Sequence, residues 1–71
     1  MGVRQVAEAI EYRGFTFDVI ESDDPEAPYQ FGVIVQKDGD TVYIDQARTA
    51  WRAARAARCW IDSNFKKAVN Q

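Results

Sequence analysis

The chain has 71 residues, no histidine and a single cysteine, Cys59. An internal disulfide is excluded, a zinc site would have to rely on carboxylates alone, and a core of this size rarely supplies more than about 3–5 kcal/mol. The net charge of −2 hides a division: residues 1–45 set ten acidic side chains against Arg4, Arg13 and Lys37, a balance of −7, whereas residues 46–71 set four arginines and two lysines against Asp62, a balance of +5.

At the N-terminus, Val3, Val6, Ala7 and Ile10 fall at i, i+3, i+4 and i+7. That spacing predicts one apolar stripe of a short helix; a competing reading starts strand character at Ile10 and Tyr12. "GFTFDVIES" alternates, with Phe15, Phe17 and Val19 on one face and Thr16, Asp18 and Ile20 on the other, as in a half-buried strand. "DDPEAP" follows as an acidic loop, its two prolines unable to donate to a ladder. "YQFGVIVQ" resumes the alternation with Tyr29, Phe31, Val33 and Val35 inward, and Gly32 opposite them marks a bulge or a close neighbour. Asp38-Gly39 is a strong hairpin turn, because both residues tolerate positive φ. "TVYID" returns with Val42 and Ile44 inward, leaving Thr16, Asp18, Ile20, Gln30, Ile34 and Tyr43 for the other sheet face.

From about Gln46 to Ala68 no glycine or proline interrupts, and alanine and arginine are strong helix formers. One long helix is predicted, capped by Asp45 or Thr49. Stepping 100° per residue gathers Ala50, Ala53, Ala54, Ala57, Ile61 and Ala68 on one side, flanked by Trp60 and Phe65. Arg48, Arg52, Arg55, Cys59, Asp62 and Lys66 gather on the opposite side. Small residues on the helix and large ones on the sheet interdigitate, so the alanines read as structural.

The arginines require a separate reason. A solvated face is one, with Arg58 and Asp62 paired at i, i+4 in the weaker order. Anion contact is another: the guanidinium fork suits carboxylates and phosphates, and Arg48, Arg52 and Arg55 span about 10 Å of helix. Trp60, beside the alanines, reads as core. Trp51, near Arg55 and Arg58, either covers a sheet edge or stands exposed as an interface anchor. Nearby arginines would favour the Cys59 thiolate, but no histidine is present to act as its base, so no catalytic residue is assigned. The acidic loop (Glu21, Asp23, Asp24, Glu26) lacks the glycine-turn spacing of a calcium site and reads as a solvated segment, or as a mimic of nucleic-acid phosphates. No phosphate-cradling glycine loop or metal-ligand spacing occurs, so no metal or cofactor is expected.

Two resemblances add to this reading. "YQFGVIVQKDGDTVYID" followed by a basic, alanine-rich helix is similar to the second hairpin and last helix of the double-stranded-RNA-binding domain. That resemblance implies an order of helix, three strands and helix, with phosphate contacts near Arg48 and Arg52; the family's lysine cluster and the glycines before its last helix have no counterpart here. "YRGFTF", then "YQFGVIVQKDG", then a threonine-started helix containing "WID" resembles short bacteriophage and prophage proteins. It implies a three-stranded meander covered by one helix, and no activity.

The expectation is one small α+β domain spanning residues 1–71: a three-stranded antiparallel sheet, a long C-terminal helix on one face and a short N-terminal helix as an optional addition. With no signal-like segment and no apolar run of the roughly 20 residues that cross a bilayer, a soluble, cytoplasmic protein with no membrane contact is expected. The function expected is non-enzymatic: an accessory protein of a phage or prophage that contacts another protein through Arg48, Trp51, Arg52, Arg55 and Arg58. The alternative is nucleic-acid binding by the same arginines, and homodimerisation through the sheet or helix is a third reading.

Overall fold

The computed structural model describes residues 2–69, and side chains only through Phe65. The expected positions of Lys66 and Ala68 on the helix faces therefore lie outside the described side chains. Four strands, β1 (Val3–Tyr12), β2 (Phe15–Ser22), β3 (Phe31–Lys37) and β4 (Asp40–Ala47), form an antiparallel meander in sequence order, and one helix, α1 (Ala50–Val69), packs across it. The α+β class and the C-terminal helix agree with the sequence. The strand count does not: the segment read as a short helix is β1.

The cause is a pair of bulges. Val6 is an extra residue between the pairs Gln5↔Ile20 and Ala7↔Val19, and Glu8 and Ala9 together oppose Asp18 before Ile10↔Phe17 resumes the ladder. Ala9 takes a left-handed conformation (φ 51°) and its N–H donates to Asp18 Oδ1 at 2.7 Å. Residues opposite one another share a sheet face, so Arg4, Ala7, Ile10 and Tyr12 face the helix side. Each bulge inserts a residue, stretching a two-residue spacing to three, which imitates a helical stripe. Bulges also blunt this edge of the sheet against further pairing.

A bulge likewise corrects the reading of β4. The register passes from Val35↔Tyr43 to Gln36↔Thr41, leaving Val42 extra. Tyr43, Asp45 and Ala47 therefore face the helix, opposite Val35, Val33 and Phe31. Val42 and Ile44, expected inward, are 41% and 65% exposed. Tyr29, expected as an inward strand residue, precedes β3 and is exposed. At Gly32 the close neighbour is real: a Cβ there would lie 3.3 Å from the Asp45 carbonyl and 3.4 Å from the Ile20 side chain.

Both hairpins turn on two residues with positive φ, Arg13-Gly14 (53° and 85°) and Asp38-Gly39 (55° and 84°), the pattern of the turn that matches strand twist. The core lies between the sheet and α1: Phe15, Phe17, Val19, Val33, Val35 and Ala47 meet Ala53, Ala57 and Ile61. Trp60 belongs to its margin, stacked on Tyr43 at 4.9 Å and edge-on to Phe15 at 5.9 Å. No helix among the described residues is long and apolar enough to cross a membrane.

Candidate functional site: the outer face of the helix

Thr49 caps α1. Its Oγ1 accepts the Arg52 N–H at 3.1 Å, and its carbonyl accepts the first helical bond from Ala53 at 3.0 Å. Asp45, the other candidate cap, lies in β4, which also holds Gln46 and Ala47 and so delays the helix to Ala50. With Ala53, Ala57 and Ile61 buried, the period of 3.6 residues turns Trp51, Arg52, Arg55 and Cys59 to solvent. Arg52 and Arg55 thus share the outer side expected of them and Trp51 stands exposed beside them, with Arg58 half-buried on the shoulder. Arg48, expected on the same helical stripe, precedes the Thr49 cap and lies outside α1 because β4 runs on to Ala47.

Trp51 is 63% exposed, and the Arg55 guanidinium lies 5.5 Å from the centre of its ring. One turn earlier, the Arg48 guanidinium stands 5.9 Å from the Tyr29 ring, joining the start of the helix to the loop between β2 and β3. Cation–ring contacts of this kind leave the outer N–H groups of a guanidinium free for a carboxylate or phosphate. Among the described residues the ion pairs are Arg4–Glu21 and Arg13–Asp62, and neither involves a helix arginine. Cys59 lies exposed on the same face.

The expected Arg58–Asp62 pair is absent among these contacts. Asp62 turns instead to the first hairpin: its Oδ1 accepts from the Tyr12 hydroxyl at 2.9 Å and lies 2.8 Å from Arg13 Nε. The Arg13 guanidinium also sits 5.6 Å from the Tyr12 ring and 5.1 Å from the Phe65 ring. This latch ties the far half of the helix to the β1–β2 turn. Sequence reasoning missed it, together with Tyr29; the only local signal for either was an aromatic beside an arginine or a proline.

At the β4 edge the Tyr43 hydroxyl donates to Asp45 Oδ2 at 2.7 Å, and the Gln46 N–H donates to Asp45 Oδ1 at 2.8 Å. The bond from Tyr43 and then the Gln46 N–H hold the Asp45 carboxyl below its ordinary value of 3.8. The same bond, helped by partial burial, raises Tyr43 above 10.0. A lowered acid stabilises the fold above its ordinary pKa and loses that contribution as pH falls through the lowered value; a raised tyrosine contributes below 10.0 and loses it as pH rises through the raised value. Urea midpoints followed against pH are expected to fall slightly more at both extremes in the wild type than in Tyr43→Phe, the exposed setting keeping the difference small. Identical profiles would show that the bond carries no linkage.

The acidic loop is bonded to Gly2 and within itself. Asp23 accepts the Gly2 N–H on both carboxylate oxygens at 2.9 Å, and Asp24 Oδ1 accepts the Glu26 N–H at 3.0 Å. No group of three or more histidine, cysteine or acidic side chains gathers as metal ligands among the described residues. On the uncovered face of the sheet a shallow groove runs between Val3, Ile20, Gly32, Ile44 and the loop residues Pro28 and Tyr29. Compared with protein-family models, curated proteins and solved structures, the chain matches none.

Proposed function

We propose that this chain is a non-enzymatic binding module, an accessory protein of a phage or prophage, that contacts another protein through the outer face of α1. The observation that carries this reading is Trp51: a tryptophan 63% exposed, with the Arg55 guanidinium against its ring and Arg52 exposed on the same side of the helix. Leaving so large an apolar side chain in water gains nothing for the fold, whereas tryptophan and arginine are the side chains that most often anchor protein interfaces. The arginines make the face complementary to an acidic partner surface.

Nucleic-acid binding is the second reading. It is favoured by the lack of a carboxylate pair for any helix arginine among the described residues, and opposed by the −7 balance of residues 1–45, which repels a polyanion.

Two measurements separate them. In an amide-resolved NMR titration with short duplex DNA and RNA at low salt, no shifts are expected at residues 48–58; salt-reversible shifts confined to that stretch would overturn the protein-binding reading in favour of phosphate contact. Affinity capture from bacterial lysate is expected to retain a protein that Trp51→Ala releases, since losing a hot spot weakens binding about thirtyfold or more. Capture indifferent to Trp51→Ala would remove the helix face from the interaction.

A further inference from the structure

We propose that a second copy of this chain occupies the outer helix face, in a two-fold dimer in which the acidic β2–β3 loop of each copy docks on the arginines and Trp51 of the other. The inference rests on the reading of that face as a binding surface and names its first occupant.

The chain carries both halves of the contact. Ten of the eleven acidic side chains precede Gln46, and Arg48 and the three arginines of α1 follow it. The structure sets the two patches side by side, because the packing of Arg48 on Tyr29 places the first turn of the helix next to the loop. Neighbouring the loop, the arginines still do not neutralise it: Glu21 pairs with Arg4, Asp23 bonds Gly2 and Asp24 bonds Glu26. One oxygen of Asp24 and the whole carboxylate of Glu26 make no hydrogen bond among the described residues.

Adjacent patches of opposite charge are what a two-fold contact requires. The axis passes between them, so the acidic patch of each copy meets the basic patch of the other, and both contacts form at once. Such an interface closes on itself and gives a dimer rather than a filament. The loop is also preformed. The Ser22 N–H donates to the Gln30 carbonyl at 2.7 Å across its base, the Ala27 N–H to the Asp24 carbonyl at 3.1 Å, and the Asp24 N–H to Ser22 Oγ at 3.2 Å. Pro25 and Pro28 restrict it further, so little ordering remains to oppose association. Trp51, exposed beside Arg55, supplies apolar area for the loop prolines to cover.

Sedimentation equilibrium over a range of protein concentrations tests this. The wild type is expected to pass from 8.1 kDa to twice that mass as concentration rises, and to dissociate with added salt. Glu26→Arg and Arg52→Glu are each expected to weaken the dimer about tenfold, because each places like charges in both symmetry-related contacts. The double variant keeps the net charge of −2 and is expected to dimerise again. A mass fixed at 8.1 kDa up to the solubility limit overturns the proposal. So does a dimer that neither reversal weakens, which would assign the contact to the uncovered sheet face, or a double variant that stays monomeric. Trp51-dependent capture of a different protein by a chain that never dimerises would leave the binding-module reading standing while this proposal falls.

Discussion

Phe17→Ala is expected to remove about 3–5 kcal/mol of stability, as much as a core of this size supplies in total, so the variant should be largely unfolded in circular dichroism at room temperature. Phe17 is among the most completely buried side chains, together with Val33, Val35 and Ile61, and it sits in the row Ile10–Phe17–Val35–Tyr43 beneath the helix. Removing its ring leaves a void that two thin layers cannot close without moving the helix. Ile44→Ala is the control. An alternating reading of "TVYID" puts Ile44 in the same core, and its truncation would then cost about 2–5 kcal/mol. In the structure it lies 65% exposed on the opposite face, and the expected loss is within about 0.5 kcal/mol. Urea denaturation of Ile44→Ala against the wild type distinguishes the registers: a loss of about 2–5 kcal/mol would put the Val42 bulge, and the face assignment of β4, in error.

What could be read from the sequence was what depends on near neighbours. The alternation of Phe15, Phe17 and Val19, the Asp38-Gly39 turn and the alanine face of the helix each rest on a few adjacent residues, and each reappears in the structure, as does one of the two candidate caps, Thr49. What failed depended on pairing. Nothing within "VRQVAEAIEY" reveals that Val6 and the pair Glu8-Ala9 are bulges, because the bulge exists only against Ile20, Val19 and Asp18 of the next strand. The same holds for Val42, whose extra position is defined by β3. Arg13-Gly14 makes the same kind of turn as Asp38-Gly39, yet arginine seldom adopts positive φ, and its support comes from Asp62 and Phe65 on the distant helix. At the site, the outward direction of the arginines followed from their spacing. The diversion of Asp62 away from Arg58 did not, since its partner Tyr12 lies fifty residues earlier.

Ala57→Leu is the variant that joins the fold to the outer face. Ala53 and Ala57 are buried between α1 and the sheet, at 1% and 0% exposure, opposite a core of phenylalanine and valine. A leucine at position 57 adds three carbons where no surface remains for them. Overpacking of this kind costs about 1–3 kcal/mol, against the roughly 3–5 kcal/mol available, so a clear drop in melting temperature is expected. The two ways of relieving the clash differ in what they do to function. If the sheet side chains shift, the helix stays in place, the latch among Tyr12, Arg13 and Asp62 survives and Trp51 keeps its setting. If the helix lifts, that latch breaks and Arg48 leaves Tyr29. The latch is anchored at one end of the sheet and the Arg48–Tyr29 contact beside the loop at the other, so the helix is held at both ends and the first response is expected: the amide resonances of residues 48–55 should remain near their wild-type positions while those of β2 and β3 move. Large shifts at 48–55 in a folded Ala57→Leu would instead mean that the alanines alone, and not the contacts at the helix ends, set where the arginine face stands. By contrast, Arg55→Leu makes a similar-sized side chain on the outer face, where there is room for it, and is expected to leave the melting temperature within a few degrees of wild type.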